Sequence, residues 1–244
     1  MSGPGWERFT VPGLAPWLEA VRPVADAIAG DPDARAAWLR HGETWFAGVN
    51  VLPNDARGAV PGGPPLPDML GDYPWDAGQL SIVYPGYPQR DADESEAAHR
   101  FRRLRDAAHV DGLLPVGPER RRFMQEPHAF VLGLPLNTCP AGASPLVVWE
   151  GSHEIMRAAF TAALEGVPPE RWRTVDLTET YHAARRHCFE TCKRVPLPAA
   201  PGEATWLHRL TLHGVAPWEA GASEGRMIVY FRPDFAGADW LSPP

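Results

Sequence analysis

Cysteine, lysine and long apolar runs are what this 244-residue sequence has least of. Three cysteines, Cys139, Cys188 and Cys192, are too few for a disulfide framework. Cys188 and Cys192 stand four apart in a stretch that reads as helical. No second cysteine pair accompanies them, so they are read as reduced, semi-buried thiols rather than metal ligands. No stretch approaches the roughly 18 apolar residues that span a bilayer. The opening MSGPGWERFT has neither the basic flank nor the apolar run of a signal peptide. The expectation is a cytoplasmic protein without a membrane anchor. Lys193 is the single lysine among 23 basic residues, a bias attributed to genome composition. A net charge of −7 gives no general attraction for nucleic acid.

What is present describes a loop-rich globular chain. Hydrophobic residues make up 44%, ample for a sizeable core, and charged residues 22%, too ordinary for a disordered polyelectrolyte. Proline (28) and glycine (23) punctuate the sequence without a repeat or low-complexity linker. The first 40 residues read as helical: Leu14, Trp17, Leu18, Val21, Val24, Ala25 and Ile28 recur at helical spacing. Gly30-Asp31-Pro32 ends that helix, and a short second one follows over 33–40. Strand-type runs are expected at 45–52, 79–84, 128–137, 145–149, 203–207, 210–213 and 225–232, with a Gly/Pro-rich loop at 54–67. Helices are expected at 152–166 and 176–193, their starts marked by Ser152 with Glu154 and by Asp176 with Glu179. The pattern predicts a mainly β fold with helices (α+β), a jelly-roll-type core within a single domain over 1–244. A helical extension would cover about 1–43 and the β core about 44–235.

Among nine histidines, His109 stands out because Asp111 follows two residues later. On an extended segment both side chains point to one face, so an imidazole and a carboxylate converge on one ion. A histidine from a distant strand would complete a 2-His-1-carboxylate face with three open positions, an arrangement suited to Fe(II). Such a short pair also arises by chance, and His41-Gly42-Glu43, read as a surface or capping feature, shows it. The third ligand is sought in the segment 201–214, where His208 and His213 are the two candidates. Five apart, they would face opposite ways on an unbroken strand. His213 is preferred because Gly214 permits close backbone approach. Along 226–232, alternation sets Arg226, Ile228, Tyr230 and Arg232 on one face and Met227, Val229 and Phe231 on the other. An arginine inside a small barrel is costly without an anion. Arg226 is therefore a candidate for holding an acidic co-substrate, with Arg232 as the fallback.

These features resemble, in order, the phytanoyl-CoA dioxygenase-like family of Fe(II)- and 2-oxoglutarate-dependent oxygenases. The resemblance rests on His109-x-Asp111, Pro145-Leu-Val-Val-Trp-Glu-Gly-Ser-His153, Gly202-Glu203 with Leu212-His213-Gly214, and Arg226, and covers about residues 79–235. It implies a double-stranded β-helix (cupin-like) core. It further implies iron held by His109, Asp111 and His213, and the distal carboxylate of 2-oxoglutarate held by Arg226. The Gly-Ser-His turn at 151–153 would be structural. The chain departs from the family in a longer gap between His213 and Arg226, and in Val215 where a hydroxyl residue is usual. A second 2-oxoglutarate contact would then come from Asn137, Ser81 or Tyr84. Asp111 implies oxidation such as hydroxylation, because related halogenases carry a small residue there and place chloride in the vacated position.

Seven arginines at 100, 102, 103, 105, 120, 121 and 122 straddle the His109/Asp111 pair. They read either as a rim for an anionic substrate such as an acyl-CoA or, the favoured view, as a solvated face paired with Asp91, Asp93, Glu94 and Glu96. The expected partners are a small-molecule substrate and O2, with no nucleic acid or membrane. Two alternatives to the oxygenase are a cupin-like metalloenzyme that does not use 2-oxoglutarate and a ligand-binding β-domain whose histidines are structural.

Overall fold

Alternating side chains decide how the strands assemble. The computed structural model describes residues 3–221, 224–235 and 240–241. Its larger sheet is antiparallel and runs in the order β1 (Trp6–Thr10), β10 (Glu203–His208), β7 (Phe130–Pro135), β12 (Arg226–Phe231), β4 (Gln79–Val83), β3 (Trp45–Gly48), β2 (Leu39–Arg40). A smaller sheet runs β11 (His213–Val215), β8 (Leu146–Trp149), β9 (Arg194–Leu197), and β5 (Leu113–Val116) pairs with β6 (Arg121–Met124) as a hairpin.

Ile228 and Tyr230 of β12 meet Leu146 and Val148 of β8 and Leu197 of β9 in one apolar cluster. The two sheets therefore face each other, with that cluster between them. The alternate residues Met227, Val229 and Phe231 turn outward onto α1 (Ala15–Gly30), against Trp17, Val21 and Ala25. Val147 and Trp149 of β8 likewise turn outward, onto Met156 and Phe160 of α4 (Ser152–Ala163) and Tyr181 and Cys188 of α5 (Thr178–Thr191). The fold is thus mainly β with helices, two facing antiparallel sheets of the jelly-roll, double-stranded β-helix type. Two further helices, α2 (Pro32–Trp38) and α3 (Glu96–Arg105), flank the large sheet's β2–β3 edge and the loop before His109.

Several expectations are corrected. Residues 6–10 are not helical: β1 lines the edge of β10 in register from Trp6 opposite Leu207 to Thr10 opposite Glu203. That choice is tertiary, since the strand exists because β10 offers it an edge. The strand expected at 45–52 ends at Gly48. Of the strand expected at 210–213 only His213 is extended, as the start of β11: the chain turns at 209–212, with Thr211 N–H donating to His208 C=O, and passes from the large sheet to the small one. Helix α4 does begin at Ser152, but its hydroxyl accepts from Leu212 N–H (2.9 Å) and not from the helix's own first turn. Helix α5 begins at Thr178, where Asp176 accepts from both the Thr178 N–H and hydroxyl.

Candidate metal centre and its cavity

The small sheet's first strand and an irregular segment place the candidate ligands. His109 N–H donates to His213 C=O (2.8 Å) and His213 N–H donates to His109 C=O (3.0 Å). This reciprocal pair sets the two imidazoles side by side, ring centroids 4.7 Å apart. The approach is close enough to require Gly214: a Cβ there would lie 2.1 Å from Asp106 C=O. The segment is held from behind by Asp106, whose buried carboxylate accepts two hydrogen bonds from Arg194 (2.7 and 2.8 Å). Gly214→Ala should therefore force the 106–109 segment away from β11. It should cost roughly 1–3 kcal/mol in chemical denaturation and weaken Fe(II) binding in parallel.

Asp111 completes the group. Its Oδ1 lies 3.1 Å from His109 Nε2 and 3.7 Å from His213 Nε2. Among the described residues, His109, Asp111 and His213 form the one set of three such side chains whose ligand atoms all lie within 4.8 Å of one another. Each imidazole is oriented from behind, His109 Nδ1 by Ala107 C=O (3.1 Å) and His213 Nδ1 by Thr211 C=O (2.9 Å). With Nδ1 carrying the proton toward those carbonyls, both Nε2 lone pairs face Asp111. Burial lowers the His213 pKa to about 4, so its ring is neutral and able to ligate near neutral pH. Burial raises the Asp111 carboxyl, but Arg232, His213 and His109 outweigh it and hold the group well below the usual carboxylate range.

Arg232 proves to be engaged. Its Nε donates to Asp111 Oδ2 (2.6 Å) and a terminal nitrogen to Gln79 Oε1 (2.5 Å). This fixes one carboxylate oxygen and leaves Oδ1 facing the histidines. Arg226 is the opposite case. It is buried on the inward face of β12, and among the described residues none of its three guanidinium nitrogens has a hydrogen-bond partner. Its backbone is held on both sides by Asn137, which donates to Gly225 C=O (2.8 Å) and accepts from Met227 N–H (2.9 Å). Asn137 therefore positions Arg226 through its neighbours. Ser81 faces inward, its hydroxyl accepting from Trp45 Nε1 (3.0 Å). Tyr84 does not share that face: it packs with the outer cluster under α1 and beside Arg35.

The candidate ligands open onto a cavity of about 610 Å³ between the sheets. Trp45, Ser81, Val131, Leu146 and Tyr230 line its walls, and Asp76, Glu126, His128 and Asp234 also border it. Arg226 is not part of the lining, although Trp45 and Ser81 are. His109 is about half exposed, Asp111 is partly buried and His213 is buried, so the group opens toward one side. The sequence offered no signal for Asp76 or His128. Gln79 could have been found from its alternation with Ser81, two residues along the same strand.

The remaining histidines do other things. His208 lies tilted against His153, ring centroids 4.9 Å apart, and its Nδ1 accepts from Leu210 N–H (3.0 Å). Neither ring borders the cavity among its described lining. The His208 pKa falls to about 3, chiefly through burial and then the neighbouring His153. Because the unfolded chain takes up that proton near pH 6.5, stability should fall on acidification. The loss from this site should be about 2 kcal/mol between pH 7 and pH 5. Urea melts of His208→Gln should lack that share of the pH dependence. His41 lies 3.2 Å from Asp91 and stacks on Trp45, away from the candidate ligands.

The arginine cluster also lies elsewhere. Arg102 pairs with Glu94 (2.9 Å), Arg121 with Asp176, and Arg105 lies over the Phe189 ring. Arg100 and Arg103 border a separate surface hollow with Glu96. None of the seven is among the described residues lining the cavity. No helix among the described residues is long and apolar enough to cross a membrane.

No family profile and no curated protein matches the chain. Solved structures do resemble it in part. AviO1 from Streptomyces viridochromogenes Tue57 is 16% identical, over 99% of this chain and 93% of that one, with a TM-score of 0.47. The non-haem alpha-ketoglutarate-dependent carbocyclase SnoK from nogalamycin biosynthesis is 14% identical over 94% and 79%, TM-score 0.43. EctD from S. alaskensis, crystallised with 2-oxoglutarate and 5-hydroxyectoine, is 16% identical over 94% and 72%, TM-score 0.42. Against one structure of the epimerase SnoN the chain spans 44% of that protein's length. Likeness at this level assigns neither an activity nor a substrate.

Proposed function

We propose that this chain is a single-domain, non-haem Fe(II)- and 2-oxoglutarate-dependent oxygenase of the phytanoyl-CoA dioxygenase-like kind, hydroxylating an unactivated C–H bond of a small molecule. The observation that carries the reading is a buried guanidinium, Arg226, without a hydrogen-bond partner among the described residues, in the same barrel as an open His-Asp-His group. The donor set of two neutral imidazoles and one carboxylate suits Fe(II) and leaves positions free for a chelating co-substrate and O2. A buried lone cation is stabilised by an anion, and a guanidinium holds a carboxylate through two parallel hydrogen bonds.

His109 and His213 would hold the metal through Nε2 and Asp111 through Oδ1, and Arg226 would hold the distal carboxylate of 2-oxoglutarate. Bound there, Fe(II) and 2-oxoglutarate supply the oxidation of a C–H bond by O2, with release of succinate and CO2. The chain's own part is positional. Ala107 and Thr211 carbonyls keep the imidazole protons on Nδ1. Arg232 and Gln79 keep Asp111 turned toward the histidines, and Asn137 keeps Arg226 on the inward face. The walls of Val131, Leu146 and Tyr230 limit water around the substrate carbon. Asp111 supports hydroxylation over halogenation, since it fills the position a halide would need.

The test is succinate release in air. Protein supplied with Fe(II) and 2-oxoglutarate should form succinate slowly without substrate, and Asp111→Ala should form none. Tight Fe(II) binding with no succinate under any condition would favour a cupin-like enzyme that does not use 2-oxoglutarate.

A further inference from the structure

Alternation along the β5–β6 hairpin gives it two apolar faces. Leu113 and Met124, directly opposite one another, turn to the core beneath α5 and are buried there with Leu177 and Tyr181. The other face carries Leu114 opposite Phe123 and Val116 opposite Arg121, and Arg121 is paired with Asp176. Leu114 is 37% exposed and Val116 45%. A hairpin that buries one face ordinarily carries polar residues on the other, where exposed apolar side chains contribute nothing to folding. The hairpin is also fixed in place. Arg122 N–H donates to the Thr178 hydroxyl (2.8 Å), and Leu177 N–H donates to Arg122 C=O (2.9 Å), which ties β6 to the start of α5.

This second face is continuous with the cavity. Leu114 belongs to the lining, three residues after Asp111, and Val116 extends the same face beyond it. From β3, Trp45, Ala47 and Val49 also line the cavity, while Phe46 between them turns outward to the core under α1. Val49, at 44%, is exposed as well. Six large hydrophobic residues are exposed among those described; the other three, Met69, Tyr73 and Leu104, lie outside the described lining. Single exposed apolar residues are ordinary, whereas a group of them continuous with a cavity marks a ligand surface.

We propose that the cavity takes a substrate with an apolar body, a hydrocarbon chain or ring system. That body would run outward past Val49 and be covered at its outer end by Leu114, Val116 and Phe123. The hairpin thus sets specificity, because a polar group at that end of the ligand would lose its water against an apolar face. The oxidation of such a substrate rests on the oxygenase reading, whereas its binding does not.

The experiment titrates 1-butanol, 1-octanol and octane-1,8-diol into protein with and without Fe(II) and 2-oxoglutarate, by anaerobic calorimetry. 1-Octanol is expected to bind about 10- to 100-fold tighter than 1-butanol, from the added methylenes it buries. Octane-1,8-diol, equal in length but polar at both ends, should bind at least about tenfold weaker than 1-octanol. Leu114→Ser with Val116→Ser alters two exposed side chains and should weaken 1-octanol by about 3- to 10-fold without changing 1-butanol. Val49→Ser, on a different segment, should act in the same direction and keeps the test valid if the hairpin variant melts early. Octanol no tighter than butanol, a diol equal to octanol, or octanol affinity unchanged in both variants would overturn the proposal. So would sedimentation as a dimer that the hairpin substitutions split, which would assign the face to a second copy of the chain. The Fe(II)/2-oxoglutarate absorbance band recorded on the same samples separates the two readings. Length-dependent binding without the band leaves this proposal standing and removes the oxygenase; the band without length dependence does the reverse.

Discussion

Replacing Arg226 with methionine is expected to raise the melting temperature and, in the same protein, to weaken 2-oxoglutarate binding sharply. The two effects share one cause. Three guanidinium nitrogens of Arg226 are buried without a hydrogen-bond partner among the described residues, so the charge is desolvated with no hydrogen bond from them to offset it. Exchanging a poorly compensated buried charge for an apolar side chain of similar volume is often stabilising by about 1–4 kcal/mol. In a chain of this length each kcal/mol shifts the melting temperature by roughly 2–4 °C. Asn137 grips the backbone on either side of residue 226, so the strand should keep its place in the variant. The co-substrate, by contrast, loses the one charged group the proposal assigns to its distal carboxylate. Affinity should fall at least about 30-fold, in line with the 2–5 kcal/mol cost of removing one partner from a buried charge pair. Saturating 2-oxoglutarate should stabilise wild type in a thermal melt and leave Arg226→Met unmoved. A destabilised variant that still binds 2-oxoglutarate would mean that Arg226 is a structural residue.

Asp111→Ala is expected to lose Fe(II) binding by at least about 100-fold, beyond the 10–100-fold usual when only a supporting contact is removed. Asp111 would supply one of the three candidate ligand atoms and is the only carboxylate among them. Its removal also frees Arg232 from its anionic partner, placing an uncompensated guanidinium beside two imidazoles. Positive charge would then face the position a cation must occupy. Asp111→Asn separates the two effects, since it keeps shape and hydrogen bonding while removing the charge. Calorimetric titration with Fe(II) under nitrogen should give near-stoichiometric binding for wild type, weak binding for Asn and none for Ala. Equal affinity in all three would mean that the His-Asp-His group is an ordinary hydrogen-bonded cluster.

Local pattern carried much of this arrangement. Alternation along 226–231 already separated the inward residues Arg226, Ile228 and Tyr230 from Met227, Val229 and Phe231, which do pack on α1. The helical spacing of Trp17, Val21 and Ala25 likewise matches the buried face of α1. What was illegible depended on contacts between distant segments. Strand β1 forms because β10 presents an edge some two hundred residues later, and no local signal marks it. Ser152 has the composition of a helix cap yet serves Leu212. The two histidines at 208 and 213 were weighed as opposite faces of one strand. The structure instead breaks the chain between them, sending His208 into a buried pair with His153 and His213 onto β11 beside His109. Arg232 and Arg226 share a face in sequence, and only the three-dimensional partners show that the first is engaged by Asp111 while the second is not.

The most direct test is an anaerobic titration of metal-free protein with Fe(II) and then 2-oxoglutarate, following the visible charge-transfer band of the chelate. Wild type should develop a saturable band; Asp111→Ala should show none, and Arg226→Met should need far more 2-oxoglutarate to approach it. A wild-type protein that binds Fe(II) tightly but gives no band with 2-oxoglutarate, or a band indifferent to both substitutions, would contradict the account.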